Sequence, residues 1–189
     1  MATFKDDKMT LSNHLGGHGG ITHVDSGVLT YFKSKGCKTY LDIGCGPGGM
    51  IDEAYNLGYY VQGIDGDNTI KRNLPNSVVI HDFTTGPYEF SSTYDLVWSC
   101  EFVEHVEQKF LDNFMKVFQK GRTVCMTYAP PGKRGHHHVN CNTKEYWIDT
   151  FTQYGFVFNE KLTQEVKRHS TMKREFFREC GLVFEKSER

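Results

Sequence analysis

Glu101, Glu104 and His105 stand at i, i+3 and i+4 in the run S-C-E-F-V-E-H-V-E (99–107), a spacing that puts all three on one face of a helix. Two carboxylates and an imidazole converging on one point offer oxygen and nitrogen ligands to a divalent ion such as Mg²⁺ or Mn²⁺. The same residues also read as a group that caps a helix or orders water without metal, and the residues alone leave both open. Further along, His136, His137 and His138 are consecutive. His105, His137 and His138 are thereby candidate general bases for a hydroxyl nucleophile. Cys141 beside them has no second cysteine nearby, which argues against zinc.

Such groups need a strand–loop–helix frame to face a ligand, and residues 39–49 supply one. Tyr40, Leu41 and Ile43 form the apolar run of a buried strand that stops at Gly44. Gly44, Gly46, Gly48 and Gly49 make a turn with almost no side chains, and Met50, Ile51, Ala54, Tyr55 and Leu57 resume with a helical period. That order lets a ligand lie against backbone N–H groups at a helix start. Gly44, Gly46 and Gly49 satisfy G-x-G-x-x-G, so a dinucleotide is formally open. Asp42 tells against it: a carboxylate at the strand's carboxyl end suits the ammonium of an amino acid better than a pyrophosphate already carrying two negative charges. Asp65, roughly 20 positions on and at the end of a second predicted strand, is placed to accept hydrogen bonds from both hydroxyls of a ribose. Asp67 is a second candidate for that role, read more simply as a solvated loop residue.

The 189 residues predict one domain with a good core. A net charge of −1 announces no polyelectrolyte partner. No apolar run reaches transmembrane length, and residues 1–10 are polar and charged, unlike a signal peptide, so no membrane partner is expected. Six cysteines without a C-x-x-C pair predict reduced thiols in a cytoplasmic protein. Residues 1–24 divide from a main domain over 25–189: residues 1–13 have no clear period and read as loosely ordered, and residues 14–23 hold three histidines among four glycines, either a lid over a ligand or a flexible linker. Asp25 or Ser26 caps a first helix. Strands are predicted at 59–64, 78–80, 94–99 and 124–128, helices over 110–118, 143–151 and 165–180, and a closing antiparallel pair at 156–158 and 182–184. Within 167–178, Lys167, Lys173, Arg174 and Arg178 form either a phosphate grip or a solvated helix face.

The order D-x-G-x-G-x-G over 42–48, with Pro47 in the loop, resembles motif I of the class I S-adenosylmethionine-dependent methyltransferases. The resemblance implies an α/β fold, a doubly wound, mostly parallel seven-stranded Rossmann-like sheet with an antiparallel last strand. It implies S-adenosylmethionine held by Asp42, Gly44, Gly46, Gly48 and Asp65, with Asp82 taking the adenine amino group, Phe83 against the ring and Ser99 beside the cofactor. The runs 14–23, 99–107 and 135–141 resemble small methyltransferase-like proteins of bacteriophages. E-x-x-E-H after the fourth strand resembles two metal-assisted O-methyltransferase families, acting on the 3′-terminal ribose of small RNAs and on catechol-like ubiquinone precursors. In the RNA enzymes a histidine from the loop after the fifth strand completes the metal site, which here implies His138 beside Glu101, Glu104 and His105. The expected function is therefore methyl transfer from S-adenosylmethionine, O-directed and metal-assisted, to a small-metabolite or RNA hydroxyl. The alternatives are a cofactor-binding module without transfer and, disfavoured by Asp42, a nicotinamide oxidoreductase. The sequence leaves the oligomeric state open.

Overall fold

The computed structural model describes Ser12 and residues 14–187; the expectation for residues 1–13 therefore lies almost wholly outside the described residues. The chain runs α1 (Ser26–Ser34), β1 (Thr39–Ile43), α2 (Gly49–Asn56), β2 (Tyr60–Asp65), β3 (Val78–Ile80), β4 (Tyr94–Ser99), α3 (Leu111–Phe118), β5 (Gly121–Thr127), α4 (Lys144–Gln153), β6 (Phe156–Phe158), α5 (Glu160–His169), α6 (Phe176–Cys180) and β7 (Gly181–Lys186). The seven strands lie in the order β3-β2-β1-β4-β5-β7-β6. Only β7 runs against its neighbours, pairing antiparallel with both β5 and β6. This is the doubly wound sheet expected from the alternating strands and helices.

The period-two alternation of the strands sorts the core into two layers. Leu41, Ile43, Val97, Val124 and Met126 face α3 and α4, where Phe114, Phe118, Trp147 and Phe151 meet them. Tyr40, Leu96, Trp98, Cys125 and Val183 face the opposite layer of Leu29, Met50, Ile51, Val166 and Phe177 from α1, α2, α5 and α6. The chain winds outward from β1 to β3 on one side and from β4 to β6 on the other. A crevice therefore opens at the carboxyl ends of β1 and β4, the switch point where ligands of such sheets sit.

Asp25 caps α1, accepting from the Val28 amide (3.2 Å), and this cap explains a departure from the sequence pattern. The helix expected over 165–180 is broken into α5 and α6, because the buried Asp25 carboxylate also accepts from Ser170 Oγ (2.5 Å) and the Thr171 amide (2.9 Å). Gly27 permits that approach: a Cβ there would lie 1.9 Å from the His169 carbonyl oxygen. Arg178 braces the break, pairing with Glu175 (2.6 Å) and donating to the Met172 carbonyl (2.7 Å). Lys167 donates to the Glu179 carbonyl (3.1 Å). Two of the four cations of the proposed phosphate grip are thus spent on holding this turn. All six cysteines are free, and among the described residues no helix is long and apolar enough to cross a membrane.

Candidate active site

The glycine loop leaves β1 under tight steric control. Gly44 has φ +72, and a Cβ on it would lie 2.4 Å from the Phe102 ring. The Gly44 and Cys45 amides both donate to the Ile64 carbonyl (2.9 and 3.3 Å), which turns the chain sharply toward α2. Asp42 at the end of β1 is 3% exposed and lines the crevice. Burial, with the Asp65 carboxylate nearby, pushes its carboxyl up to about 8. A cationic ligand would reverse that shift by supplying the missing counter-charge.

Asp65 sits at the end of β2 as expected, but its carboxylate does more than face a ribose. Oδ2 accepts from the Gly46 amide (2.8 Å), and Oδ1 from the Asp67 amide (2.8 Å) and Arg72 (3.2 Å). Arg72 also donates to the carbonyls of Gly46 (2.7 Å) and Asp67 (2.9 Å). Asp65 and Arg72 together hold the glycine loop against β2, a role for Arg72 that no motif in its polar loop announces. Asp67 is not the solvated residue its loop position suggested. It is 2% exposed and accepts from both the amide and the hydroxyl of Thr69.

Asp82 follows β3, with Oδ1 accepting from the Thr84 amide (2.8 Å) and Oδ2 from His14 Nε2 (2.8 Å). Burial opposes its ionisation, but the His14 and Thr84 hydrogen bonds outweigh it and hold the carboxyl below the ordinary range. Phe83 is buried, edge-on to His81 and Phe102, and lines the same end of the crevice. Ser99 departs from its expected place. Its hydroxyl donates to the Ile43 carbonyl (3.0 Å), and it ties β4 to β1 rather than lining the cavity.

Residues 101–105 do not form the helical face that their spacing suggested. Glu101 has φ +54 at a bend, residues Val103–His105 make one 3₁₀ turn, and the helix begins only at Leu111. The bend is pinned by Thr127 of β5, whose hydroxyl accepts from the Glu101 amide (2.8 Å). A left-handed glutamate is strained, and such strain collects at functional sites. The ligand atoms are still brought together, by tertiary contacts. The Glu104 carbonyl accepts from the amides of Val139 (2.9 Å) and Asn140 (3.1 Å), and Asn140 Nδ2 donates to the Val103 carbonyl (3.2 Å). These bonds clamp the histidine loop onto the 3₁₀ turn. Glu104, His105 and His138 each then offer a ligand atom within 4.8 Å of the others.

The electrostatics of that cluster are unusual. Glu104 is fully buried, and neither carboxylate oxygen has a hydrogen-bond partner. Burial and the Glu101 carboxylate push its carboxyl up to about 8, and burial also raises Glu101. Burial and the imidazoles of His138, His136 and His137 push His105 down to about 4, and its buried Nδ1 has no partner. His105 is therefore a weak base with a free lone pair. His138 donates Nδ1–H to the Lys133 carbonyl (3.0 Å), which fixes its tautomer and leaves Nε2 as a lone-pair donor. Glu101 lines the cavity beside this triad without belonging to it. His137, at φ +46, turns toward His14 (ring centroids 6.2 Å apart) and lines neither cavity.

Two adjoining cavities occupy the crevice. One of about 220 Å³ runs from Asp42, Gly44 and Gly46 to Glu101, His105 and His138, and one of about 70 Å³ lies between Asp65, Asp82, Phe83 and Phe102. Their far wall comes from the N-terminal segment, which the sequence offered as a lid or a linker, and from Phe176, which sequence patterns did not connect to the site.

Residues 41–126 match the family model described as a methyltransferase domain. No curated protein sequence matches the chain. Among solved structures, the methyltransferase domain of bacterial CtHen1-C superimposes with a TM-score of 0.59 at 18% identity, over 85% of this chain and 95% of that one. The O-methyltransferase of a trans-AT PKS multienzyme of Brevibacillus brevis, bound to S-adenosyl-L-homocysteine, gives 0.61 at 14% identity over 86% and 71%. Magnesium protoporphyrin IX methyltransferase from Synechocystis PCC 6803, with bound SAM, gives 0.59 at 14% identity over 85% and 76%. At these identities the structural likeness speaks for the fold. The chain has the fold of the class I S-adenosylmethionine-dependent methyltransferases, and its residues 41–126 match a methyltransferase domain.

Proposed function

We propose that this methyltransferase is O-directed and assisted by one divalent ion at Glu104, His105 and His138, acting on an acceptor with adjacent hydroxyls, on a small molecule or an RNA end. One observation carries the reading: a fully buried carboxylate with both oxygens unpartnered, against two imidazoles whose lone pairs are free. Ionised without a partner, a buried carboxylate would cost several kcal/mol (about 3–5 when a partner is removed), a cost this carboxyl avoids by holding its proton; a cation in that place would let it ionise, so the site fits one. One carboxylate and two imidazoles suit Mg²⁺, Mn²⁺ or another first-row ion, and three ligands leave positions for acceptor hydroxyls. Such an ion would supply Lewis-acid activation of the hydroxyl.

The chain's own residues do the rest. Asp42 receives the ammonium of the cofactor, Asp65 its ribose, and Asp82 and Phe83 its adenine. The sulfonium methyl is already activated, so alignment and exclusion of water are the main demands on the protein. The acceptor oxygen attacks the methyl carbon as the carbon–sulfur bond breaks, leaving S-adenosylhomocysteine. Glu101, lining the cavity with a raised carboxyl, takes the hydroxyl proton. The test is transfer to catechol and to RNA 3′ ends, with chelator and with added Mg²⁺ or Mn²⁺. Equal rates in both conditions would remove the metal from this reading.

Two further outcomes check the cofactor residues. Asp65→Ala should weaken S-adenosylmethionine binding by at least about 1.5–3 kcal/mol, since it removes a charged acceptor and also frees the glycine loop. Unchanged affinity in calorimetry would move the ribose elsewhere. Asp42 is largely protonated near pH 7, its carboxyl standing at about 8, whereas an ammonium partner favours the ionised form. Cofactor binding at pH 7 should therefore release protons. Calorimetry in buffers of different ionisation enthalpy measures this, and release should vanish in Asp42→Asn.

A further inference from the structure

Residues 14–22 cross the mouth of both cavities in three successive turns, closed by Leu15 N to Ser12 O (2.8 Å), Gly19 N to Gly16 O (3.1 Å) and Ile21 N to His18 O (2.9 Å). The strap covers the site closely. Leu15 lies over Gly66, where a Cβ would be 2.3 Å from its Cδ2. Gly17 lies against the His105 ring, a Cβ there falling 3.2 Å from its Cε1, and His18 lies over Gly46, a Cβ there falling 3.2 Å from the His18 Cβ. Yet its fastenings are polar. His14 donates to Asp82 (2.8 Å), and Thr22 Oγ1 accepts from the Gly49 amide at the start of α2 (3.1 Å). His18 accepts the Gly20 amide on Nδ1 (2.8 Å), so Nε2 carries the proton that it donates to the buried Asp67 (3.1 Å). None of residues 14–22 belongs to the buried core, and Ile21 is 61% exposed. A segment held by a few hydrogen bonds opens at far lower cost than one held by apolar burial.

We propose that residues 14–22 are a latched lid, with His14–Asp82 and His18–Asp67 as its two latches, and that cofactor and product exchange only when the latches open. The proposal rests on the cofactor site described above. The argument is geometric. A ligand reaching from Asp42 to Asp82 passes beneath both latches, with the glycine loop on one side and the strap on the other. The strap residues Gly17 and His18 line both cavities, so the segment spans the ligand's path. The latches join the lid to Asp82, at the adenine end, and to the loop after β2 that Asp65 anchors, so lid and cofactor share a wall. Gly16, Gly19 and Gly20, at φ +82, +55 and +76, are the points where the segment can turn away.

The test measures dissociation of preloaded S-adenosylhomocysteine, chased with excess S-adenosylmethionine, from the full chain and from His14→Ala and His18→Ala. Both side chains lie outside the core, so neither variant should disturb the fold. A second measurement, hydrogen exchange of the amides of residues 15–21, reads the lid directly in each protein. Dissociation at least fivefold faster in each variant, with faster amide exchange in the lid, is the expected result. Dissociation at the unaltered rate, or slower, overturns the lid and leaves the cofactor site standing. Failure of the unaltered chain to bind S-adenosylhomocysteine overturns the cofactor site and the lid together.

Discussion

Glu104→Gln should abolish specific divalent-ion binding and lower metal-stimulated methyl transfer by at least about 100-fold, beyond the losses that follow from changing residues merely behind a metal ligand. Affinity for S-adenosylmethionine should stay nearly unchanged, because the residues proposed to hold the cofactor, Asp42, Asp65 and Asp82, lie on or after other strands. The same variant has a signature without metal or substrate. The folded-state carboxyl of Glu104 is raised from 4.5 to about 8, so the folded chain binds this proton more tightly than the unfolded chain. The stability this confers is complete below the ordinary carboxylate range and is lost as pH rises through about 8. The metal-free protein should therefore weaken between about pH 5 and pH 8, by on the order of a few kcal/mol, and a divalent ion should restore it. Asp42, also raised to about 8, and Glu101, raised by burial, contribute to the same slope, while His105, lowered to about 4, opposes it at the acid end, so Glu104→Gln should reduce the slope and the added Asp42→Asn should reduce it further. Denaturant unfolding across that range measures all three. A slope that survives Glu104→Gln undiminished would mean that the carboxylate is not buried without a partner, and the metal argument would fall with it.

Gly44→Ala should be the most disruptive single methyl in the crevice. Its Cβ would lie 2.4, 2.7 and 2.8 Å from three carbons of Phe102, and φ +72 is unfavourable for any residue with a Cβ. Overpacking and left-handed strain together predict about 2–5 kcal/mol of lost stability. Because Phe102 lines the adenine end, cofactor binding should weaken as well. Gly36→Ala separates the two causes: φ there is +90, but nothing lies within 4 Å of an added Cβ. It should cost only the backbone strain, about 1–2 kcal/mol. Equal losses in the two variants by thermal or urea unfolding would show that Phe102 moves aside without cost.

Local pattern determined much of this protein. The glycine loop, Asp42 two residues before it and Asp65 at the end of the next strand declare their places through residue type and short spacing, because a strand–turn–helix is built from neighbours in the chain. The alternating apolar residues of β1, β4 and β5 likewise specify a sheet buried on both faces, and from that the doubly wound order follows. What the tertiary structure alone decided lies where distant segments meet. Glu101, Glu104 and His105 show helical spacing, yet Thr127 of β5 and the amides of Val139 and Asn140 capture the chain first and leave a bend and a 3₁₀ turn. Asp25 breaks an otherwise continuous helical run by reaching Ser170 and Thr171, 145 and 146 residues away. Arg72 at Asp65, Ser99 at the Ile43 carbonyl, and the two strap histidines at Asp67 and Asp82 are partnerships that no spacing encodes. Each is a hydrogen bond whose energy depends on a distance that sequence separation does not determine.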